Sequence, residues 1–198
     1  MKALKRPEPI NAEIILDTKQ TIMSKTNPKG IIEYANDYFM EISGYEEFEL
    51  IGQPHNVIRH PDMPKVIFKW LWERLKEKKN INALVKNLAK DGRFYWVITD
   101  FEVKLDDNGE IKSFSARRKA PPRSTIEKIS ALYKKILSIE QARGVEIAEK
   151  YFVGFLEEKG MTYDEFIEDI CLSETQKPVD MKELQYYKRK GLFVRMFR

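Results

Sequence analysis

The residues with the most varied side-chain chemistry cluster in one short segment, QPHNVIRHPDMPK. It holds both histidines of the chain, His55 and His60, together with Asp62. Two imidazoles and a carboxylate can bind zinc or iron, so the segment is a candidate metal site. However, Pro54 and Pro61 adjoin the histidines and favour extended or turning backbone, which works against convergence of the side chains. No CxxC spacing accompanies the segment, and we predict that it holds no metal.

The sequence also lacks the patterns of nucleophilic catalysis and nucleotide phosphate binding. Its single cysteine, Cys171, is far in sequence from either histidine. The GxSxG, GxGxxG and GxxxxGK[ST] patterns are all absent. We therefore predict that the protein is not an enzyme. One cysteine excludes an internal disulfide and fits a reducing cytoplasm.

Charge and hydropathy narrow the class of protein further. The chain has 35 Lys and Arg against 31 Asp and Glu, a net charge of +4 that is too small to indicate a nucleic-acid partner. No segment approaches the roughly 18 apolar residues of a membrane span, and the basic N-terminus lacks the apolar core of a signal peptide. We expect a soluble, cytoplasmic protein.

The hydrophobic pattern predicts an α+β domain in which helices are inserted into one five-stranded antiparallel sheet. A wide apolar stripe predicts a helix from Pro64 to about Lys78. A shorter helix should begin at Asn36 as its N-cap and end at Gly44. The inserted helices can cover only one face of the sheet. The predicted strands are Gln20–Thr26, Ile31–Tyr34, Asn80–Leu88, Phe94–Leu105 and Glu110–Lys119.

The pattern divides the chain into an N-terminal arm (1–17), the sheet domain (18–120) and a helical region (121–198). Helical stripes follow Ser124, with a break expected near Gly144 and a capping box in TYDE before the last apolar stripe. The final segment, MKELQYYKRKGLFVRMFR, is basic. It is either a terminal helix docked by its aromatic residues or a contact with a membrane surface or partner.

The sheet and the long helix together suggest a pocket. One strand face carries Val97, Thr99, Phe101 and Val103, and the helix carries Phe68 and Trp72 at helical spacing. These residues either pack as a solid core or leave an apolar slot for a flat ligand. Arg59 and His60 lie just before the helix start, a position that favours an anion. An aromatic slot with a basic mouth would suit a flat ring that carries phosphates.

Several motifs together resemble a known family. The segments GIIEYAND, GYEEFELIGQPHNVIRHPDMP, ALVKN, DGRFYWV and GEIKSFSARRK follow the order found in PAS domains. More narrowly, they resemble the FAD-binding PAS domain of bacterial aerotaxis receptors, with PHNVIRHPDMP as the most diagnostic segment. The resemblance runs from about Thr18 to Lys119.

The resemblance implies a PAS fold and a flavin site. Carried over residue by residue, the FAD-binding residues are Asn36, Arg59, His60, Asp62, Phe68, Trp72 and Asn87. A change in the redox state of the flavin would then make the amide of Asn87 exchange its hydrogen-bond partner. The outer sheet face, with Phe94, Trp96 and Ile98, would pass this change to the N-terminal arm or to a partner.

Two positions depart from the family pattern. Ile81 stands where the family usually has a tryptophan, and Arg117 stands where an apolar residue is expected. The first changes the contact with the flavin. The second either places a charge near the pocket or marks a shifted register. Cys171 lies outside the domain, which argues against a light-sensing cysteine adduct.

The resemblance implies a redox or oxygen sensor that works with a separate membrane-bound protein of the methyl-accepting type. It would be a homodimer or part of a hetero-oligomer, in the cytoplasm or held at the membrane by its partner. Two alternatives stay open. One is a haem-binding gas sensor with His55 or His60 as the axial ligand. The other is a cofactor-free PAS module for dimerisation.

Overall fold

The structure, a computed structural model, describes Leu4 and residues 6–172. Five strands form one antiparallel sheet in the order β2-β1-β5-β4-β3. This confirms the predicted α+β class with a PAS-type sheet. The strands are β1 (Ile22–Thr26), β2 (Ile32–Ala35), β3 (Ile81–Leu88), β4 (Phe94–Leu105) and β5 (Ile111–Lys119).

The helices inserted between β2 and β3 begin and end where local sequence signals place them. The Asn36 side chain accepts a hydrogen bond from the amide of Phe39, and Gly44 ends the first helix with a φ of 70°. Both predicted caps are therefore confirmed. The inserted elements are α1 (Asp37–Ser43), α2 (Glu47–Leu50), a 3₁₀ turn (His55–Ile58) and α3 (Lys65–Lys76).

Helix α3 forms the main layer over the inner face of the sheet. Its buried residues Ile67, Leu71 and Leu75 lie on the stripe that the sequence shows. Full burial of one such side chain contributes about 1.5–3 kcal/mol. The same face of α3 carries Phe68 and Trp72, which are only partly buried against the core. The helix is therefore held by aliphatic residues while two aromatic residues remain available to a ligand.

Three further helices follow the sheet: α4 (Arg123–Arg143), α5 (Val145–Lys159) and α6 (Tyr163–Leu172). The expected break lies at Gly144, whose φ is 87°. The capping box is also present, because the Glu165 carboxylate accepts a hydrogen bond from the amide of Thr162, and the Thr162 hydroxyl accepts one from the amide of Glu165. Within residues 6–172, no helix combines the length and apolar character that crossing a bilayer requires. The basic segment 181–198 lies outside the described residues.

These C-terminal helices cover the outer face of the sheet beside β3 and β4. The Tyr133 hydroxyl donates a hydrogen bond to the carbonyl of Leu84 (2.9 Å), and its ring stacks on Trp96 at 6.3 Å. We expected the outer face with Trp96 to be available to the arm or to a partner. In the structure Trp96 and Ile98 are buried, because the outward side chains of β3 and β4 are apolar enough to pack against α4, and the signalling route through this face stays a prediction.

The N-terminal arm completes the sheet where β5 ends. Glu13 pairs in parallel with Phe94, and the amide of Ile10 donates to the carbonyl of Gly92. A Cβ at Gly92 would clash with the carbonyl oxygen of Glu8, so glycine permits this close approach. The arm thus reaches the first residue of β4, as the sequence suggested for Phe94.

Candidate functional site

A cavity of about 310 Å³ lies between α3 and the inner face of the sheet. Its volume is at the lower end of the range for small-molecule sites. The wall combines aromatic and aliphatic side chains with a few polar groups. The lining includes Ser24, Gly30, His55, Arg59, Phe68, Trp72, Asn87, Phe101, Phe114, Ala116 and Arg118.

The aromatic part of the wall depends on one glycine. Trp72 packs edge-on against Phe114, with ring centroids 5.6 Å apart. On its other side the indole touches Gly30, where a Cβ would lie 2.9 Å from the Trp72 ring. Gly30 also has a φ of 78° in the turn between β1 and β2. The turn therefore needs glycine both for its backbone conformation and for its contact with Trp72.

Arg118 is a buried cation that faces this cavity. It is 2% exposed, and its guanidinium donates to Ser24 Oγ (2.9 Å) and to His55 Nε2 (2.8 Å). Among the described residues, no carboxylate lies within ion-pair distance of it. Burial lowers the pKa of Arg118 to about 10, which leaves it charged at neutral pH. A buried charge without a counter-ion is unfavourable in an apolar interior, and an anionic or carbonyl-bearing ligand would relieve that cost.

The imidazole of His55 holds Arg118 in place. Because Nε2 accepts from Arg118, the ring proton must lie on Nδ1. The ring also stacks on Phe39 at 5.9 Å. Burial, and secondarily the charge of Arg118, lower the pKa of His55 well below its usual value. The histidine is therefore a neutral acceptor that orients the guanidinium.

A second arginine lies at another part of the cavity wall. The Arg59 guanidinium lies over the ring of Phe68, 3.5 Å from its centroid. Burial lowers the pKa of Arg59 to about 10. Its Nε has no hydrogen-bond partner, and its backbone forms a bridge with Asn87 on β3. This places the RHPDMP segment along the β3 edge and gives the cavity an unpaired donor, in addition to the Arg118 guanidinium, whose partners are neutral.

Asn87 supplies a third donor. The residue is 4% exposed, and its Nδ2 makes no hydrogen bond of ordinary geometry, although its side chain interacts with the hydroxyl of Tyr95 on the neighbouring strand. Leaving such a buried group unpaired costs about 1–3 kcal/mol. Three donors that converge on one aromatic-walled cavity form a site with unmet hydrogen-bonding capacity. The site therefore favours a planar ligand that presents several acceptors at its edge.

Four of the seven predicted site residues line this cavity: Arg59, Phe68, Trp72 and Asn87. The other three lie outside its lining and support it. Asn36 caps α1 and also pairs with the backbone of Met23 and Thr21.

His60 and Asp62 fix the segment that carries Arg59. His60 Nδ1 accepts a hydrogen bond from the amide of Asp62 (3.1 Å), and its ring packs edge-on against Phe94. Asp62 forms an ion pair with Lys86 at 2.6 Å. The charged partner of Asp62 is thus a residue of β3, and Arg59 is left to face Phe68.

Sequence reasoning missed Arg118 as a wall residue and assigned the departure from the family pattern to its neighbour. Arg117 does not place a charge near the pocket, because it points to the outer face and pairs with Asp100 at 2.6 Å. Side chains alternate along a strand, so Arg118 shares the inner face with Ala116 and Phe114. The alternation in the sequence puts Arg117 and Arg118 on opposite faces, but it does not say which of the two faces is the inner one.

Comparisons with known proteins agree with this architecture. Residues 32–116 match the family model described as PAS fold. The aerotaxis receptor of Escherichia coli K12 is 40% identical over 114 residues, which are 58% of this chain and 22% of the receptor. The bacterioopsin transcriptional activator of Halobacterium salinarum is 27% identical over 94 residues, 48% of this chain and 14% of that protein. The chain thus spans less than a quarter of the length of these two relatives.

A solved light-oxygen-voltage domain, studied with a flavin analogue, superimposes with a TM-score of 0.52 at 17% identity. The match covers 57% of this chain and 85% of that domain. At this level of identity the likeness concerns the fold. Residues 32–116 therefore have a PAS fold, and the segment that contains them is similar to the aerotaxis receptor of Escherichia coli.

Proposed function

We propose that this PAS domain binds a flavin, FAD, in the cavity and acts as a redox or oxygen sensor. The observation that carries the proposal is a pair of buried groups at the cavity wall: Arg118, a cation with neutral hydrogen-bond partners and no carboxylate among the described residues, and Asn87, whose Nδ2 makes no hydrogen bond of ordinary geometry. The edge of a flavin ring presents carbonyl oxygens and ring nitrogens, which accept hydrogen bonds. Donors and acceptors are therefore complementary.

The aromatic residues fit the same ligand. Phe68 and Trp72 on α3 line the cavity together with Phe101 and Phe114 on the sheet, and rings of this kind pack against a planar heterocycle. The cavity volume suits the ring system of a small cofactor. The rest of FAD would leave by the open side, where Lys29 and Asn56 belong to the lining.

A bound flavin would supply redox chemistry, because its charge and protonation change when it takes up electrons. The chain would supply the response. Arg118 would favour a more negative ring edge, and Asn87 would re-pair its amide as the hydrogen-bonding pattern changes. A free-energy difference of about 1–3 kcal/mol is enough to shift a two-state equilibrium by about five- to 150-fold. The protein would thus sense without catalysing a reaction.

We also propose how the chain is divided and how the signal is used. Residues 1–17 would form an arm, residues 18–120 the sensor domain and residues 121–198 a helical region. The signal would pass through protein–protein contacts to a separate, membrane-bound protein of the methyl-accepting type. The sensor would be cytoplasmic, as a homodimer or in a hetero-oligomer.

The first test is the absorbance spectrum of the purified chain, followed by heat release and identification of the bound molecule. A flavin spectrum and released FAD are the expected result. A haem band would overturn the flavin proposal and direct attention to His55, the histidine that lines the cavity. A colourless protein that refuses added FAD would overturn it in favour of a cofactor-free module.

Asn87→Ala tests the residue assignment. We expect the variant to retain flavin about fivefold less well or worse, and to lose part of the redox-dependent change in partner binding. Thr99→Val is the matched control, since Thr99 is another buried residue of the sheet whose hydroxyl also lacks a partner but which is absent from the cavity lining. Unchanged flavin retention and unchanged partner binding in the alanine variant would contradict the role of Asn87.

A further inference from the structure

Helix α3 has no N-terminal cap from its own segment. Its N-cap position is Pro64, which has no side-chain acceptor. The missing acceptor comes from α4: Glu140 Oε2 accepts hydrogen bonds from the amides of Lys65 (2.8 Å) and Val66 (3.3 Å). The carboxylate also lies at the positive end of the α3 dipole. A residue 75 positions away in the chain thus caps the helix that forms one wall of the cavity.

Glu140 is suited to report small movements. It is 9% exposed, so its carboxylate is largely removed from water. A buried carboxylate is stable only while its hydrogen-bond donors are in place. The shorter bond would be lost if α3 moved by about 1 Å, since an N–O distance of about 3.6 Å no longer counts as a hydrogen bond. A small displacement of α3 therefore weakens this contact markedly.

A second set of contacts joins α3 to α5. Glu149 accepts from Lys69 Nζ (2.6 Å) and from Trp70 Nε1 (3.2 Å), and the Trp70 ring packs on Phe152 at 5.1 Å. Gly144 joins α4 to α5 between these two glutamates. The junction of the two helices is thus fixed to α3 on both sides.

The opposite face of α3 belongs to the cavity. Phe68 and Trp72 line it, and Arg59 lies on Phe68. A ligand that pushes on Phe68 or attracts Arg59 must act on a helix whose first turn is held by Glu140. One rigid element therefore contacts both the cavity and the C-terminal helices.

We propose that Glu140 is the positioning residue that couples the occupancy of the cavity to the packing of α4 and α5. Filling the cavity sets the position of α3, and the position of α3 decides whether Glu140 keeps its two amide donors. By thermodynamic reciprocity, loss of the Glu140 contact changes ligand affinity by the same factor by which the ligand changes the packing of α4. The coupling rests on the proposed function only for the identity of the ligand.

Hydrogen exchange of the full chain tests the coupling, with FAD as the probe. In the wild type we expect FAD to change amide exchange in residues 134–143 by about fivefold or more, the lower end of coupling between sites. In Glu140→Ala the change should fall below about twofold, although FAD is still bound with altered affinity. Glu127→Ala, an exposed residue on the same helix, is the matched control and should behave as the wild type.

If Glu140→Ala fails to fold, Glu140→Gln replaces it. The glutamine keeps an acceptor oxygen but lacks the charge, and at least half of the exchange effect should be lost. An effect of FAD on α4 that is equally large in the Glu140 variants and in the wild type would overturn the proposal. So would FAD binding without any change in α4.

The failure of flavin binding is distinguishable from the failure of coupling. If the chain binds no FAD, the proposed function is wrong, and Ala116→Leu then fills the cavity without a ligand. Ala116 lines the cavity on β5, remote in the fold from α4. Ala116→Leu should change exchange in residues 134–143 when Glu140 is present and not when it is alanine. No change in either background would overturn the coupling itself.

Discussion

Arg118 Nη2 donates a hydrogen bond of 2.8 Å to His55 Nε2, which joins the last strand of the sheet to the histidine-containing segment across the cavity wall. Both partners are polar, yet neither brings a negative charge. The pair therefore holds a cation ready at the cavity while leaving its charge uncompensated by the described residues. This arrangement is expected where a ligand completes the hydrogen bonding of Arg118, so the loss of Arg118 should weaken ligand binding.

Arg118→Met should weaken flavin binding by about tenfold or more, because a charged hydrogen bond contributes about 1.5–3 kcal/mol. The same change should lower the unfolding free energy of the ligand-free protein by less than about 1 kcal/mol, or raise it, since it removes a buried charge. Ser24 Oγ lies 3.2 Å from His55 Nε2, so these two groups can pair with each other. Flavin titration and urea denaturation measure the two effects.

Arg117→Met is the control for this change. Arg117 is the preceding residue, has the same side chain and pairs with Asp100 on the outer face. Arg117 is absent from the cavity lining, so its loss should leave flavin affinity within about twofold of the wild type. Loss of its partly exposed ion pair should lower the unfolding free energy by at most about 1 kcal/mol. Equal losses of flavin from both variants would contradict the role assigned to Arg118.

The two arginines also show what a sequence can predict for this fold. Strands with strict alternation, such as β4 from Val97 onward, reveal their inner face directly. In β5, IKSFSARRK, apolar and small residues occur on both faces, and the alternation alone does not say which arginine is inside. Only the paired sheet resolves the choice.

Contacts between residues far apart in the chain could not be predicted from the sequence, for a different reason. The helix that begins after Pro64 has a clear apolar stripe, and its limits could be predicted within about two residues. The acceptor for its first amides, Glu140, is one of many glutamates on amphipathic helices, and nothing in its local pattern distinguishes it. The cavity residues on the long helix could be predicted because periodicity orients them. The packing of α4 on the outer face could not.

Gly30→Ala should disturb the cavity from its other side. The left-handed conformation of residue 30 costs alanine about 1–2 kcal/mol, and the contact with Trp72 adds a further 1–3 kcal/mol or so. Either Trp72 or the β1–β2 turn must move, so flavin affinity should fall together with stability. Urea denaturation and flavin titration provide both values.

Gly109→Ala separates these contributions. Gly109 has a φ of 77°, nearly that of Gly30, but a Cβ there meets nothing within 4 Å. The variant should therefore show only the conformational cost and should bind flavin as the wild type does. If both glycine variants lose the same stability and keep the same affinity, the Trp72 contact has no energetic importance.

The packing of the C-terminal helices depends on a buried pair of tyrosines. Tyr133 donates to the carbonyl of Leu84, and its hydroxyl lies 2.8 Å from that of Tyr163. Tyr133→Phe should lower the unfolding free energy by about 1–3 kcal/mol, because it leaves both buried partners short of a hydrogen bond. The double variant Tyr133→Phe, Tyr163→Phe should lose less than the sum of the single losses. Additive losses, or a loss equal to that of the more exposed Tyr151→Phe, would show that the pair is not coupled.

The two histidines should make the protein sensitive to mild acid. Burial lowers the pKa of His60 to about 4, with a secondary contribution from the charge of Lys86, and burial also lowers the pKa of His55. In the unfolded chain both titrate near 6.5. Between about pH 5 and 6 the unfolded chain therefore binds more protons than the folded one, so stability is full above about pH 6.5 and falls as the pH decreases.

Each such proton changes the unfolding free energy by about 1.4 kcal/mol per pH unit, so His60 should account for a loss of about 1 kcal/mol per unit between pH 6 and 5, and His55 should add to this loss. His60→Asn keeps an acceptor for the amide of Asp62 and removes one proton site, and it should roughly halve this slope. Asp62→Asn should leave the slope unchanged, because the pKa of Asp62 is lowered from a value already below the window. Urea titrations at several pH values give the slopes. A wild-type slope near zero would mean that both histidines become protonated in the folded protein, and the neutral His55 that orients Arg118 would then be excluded.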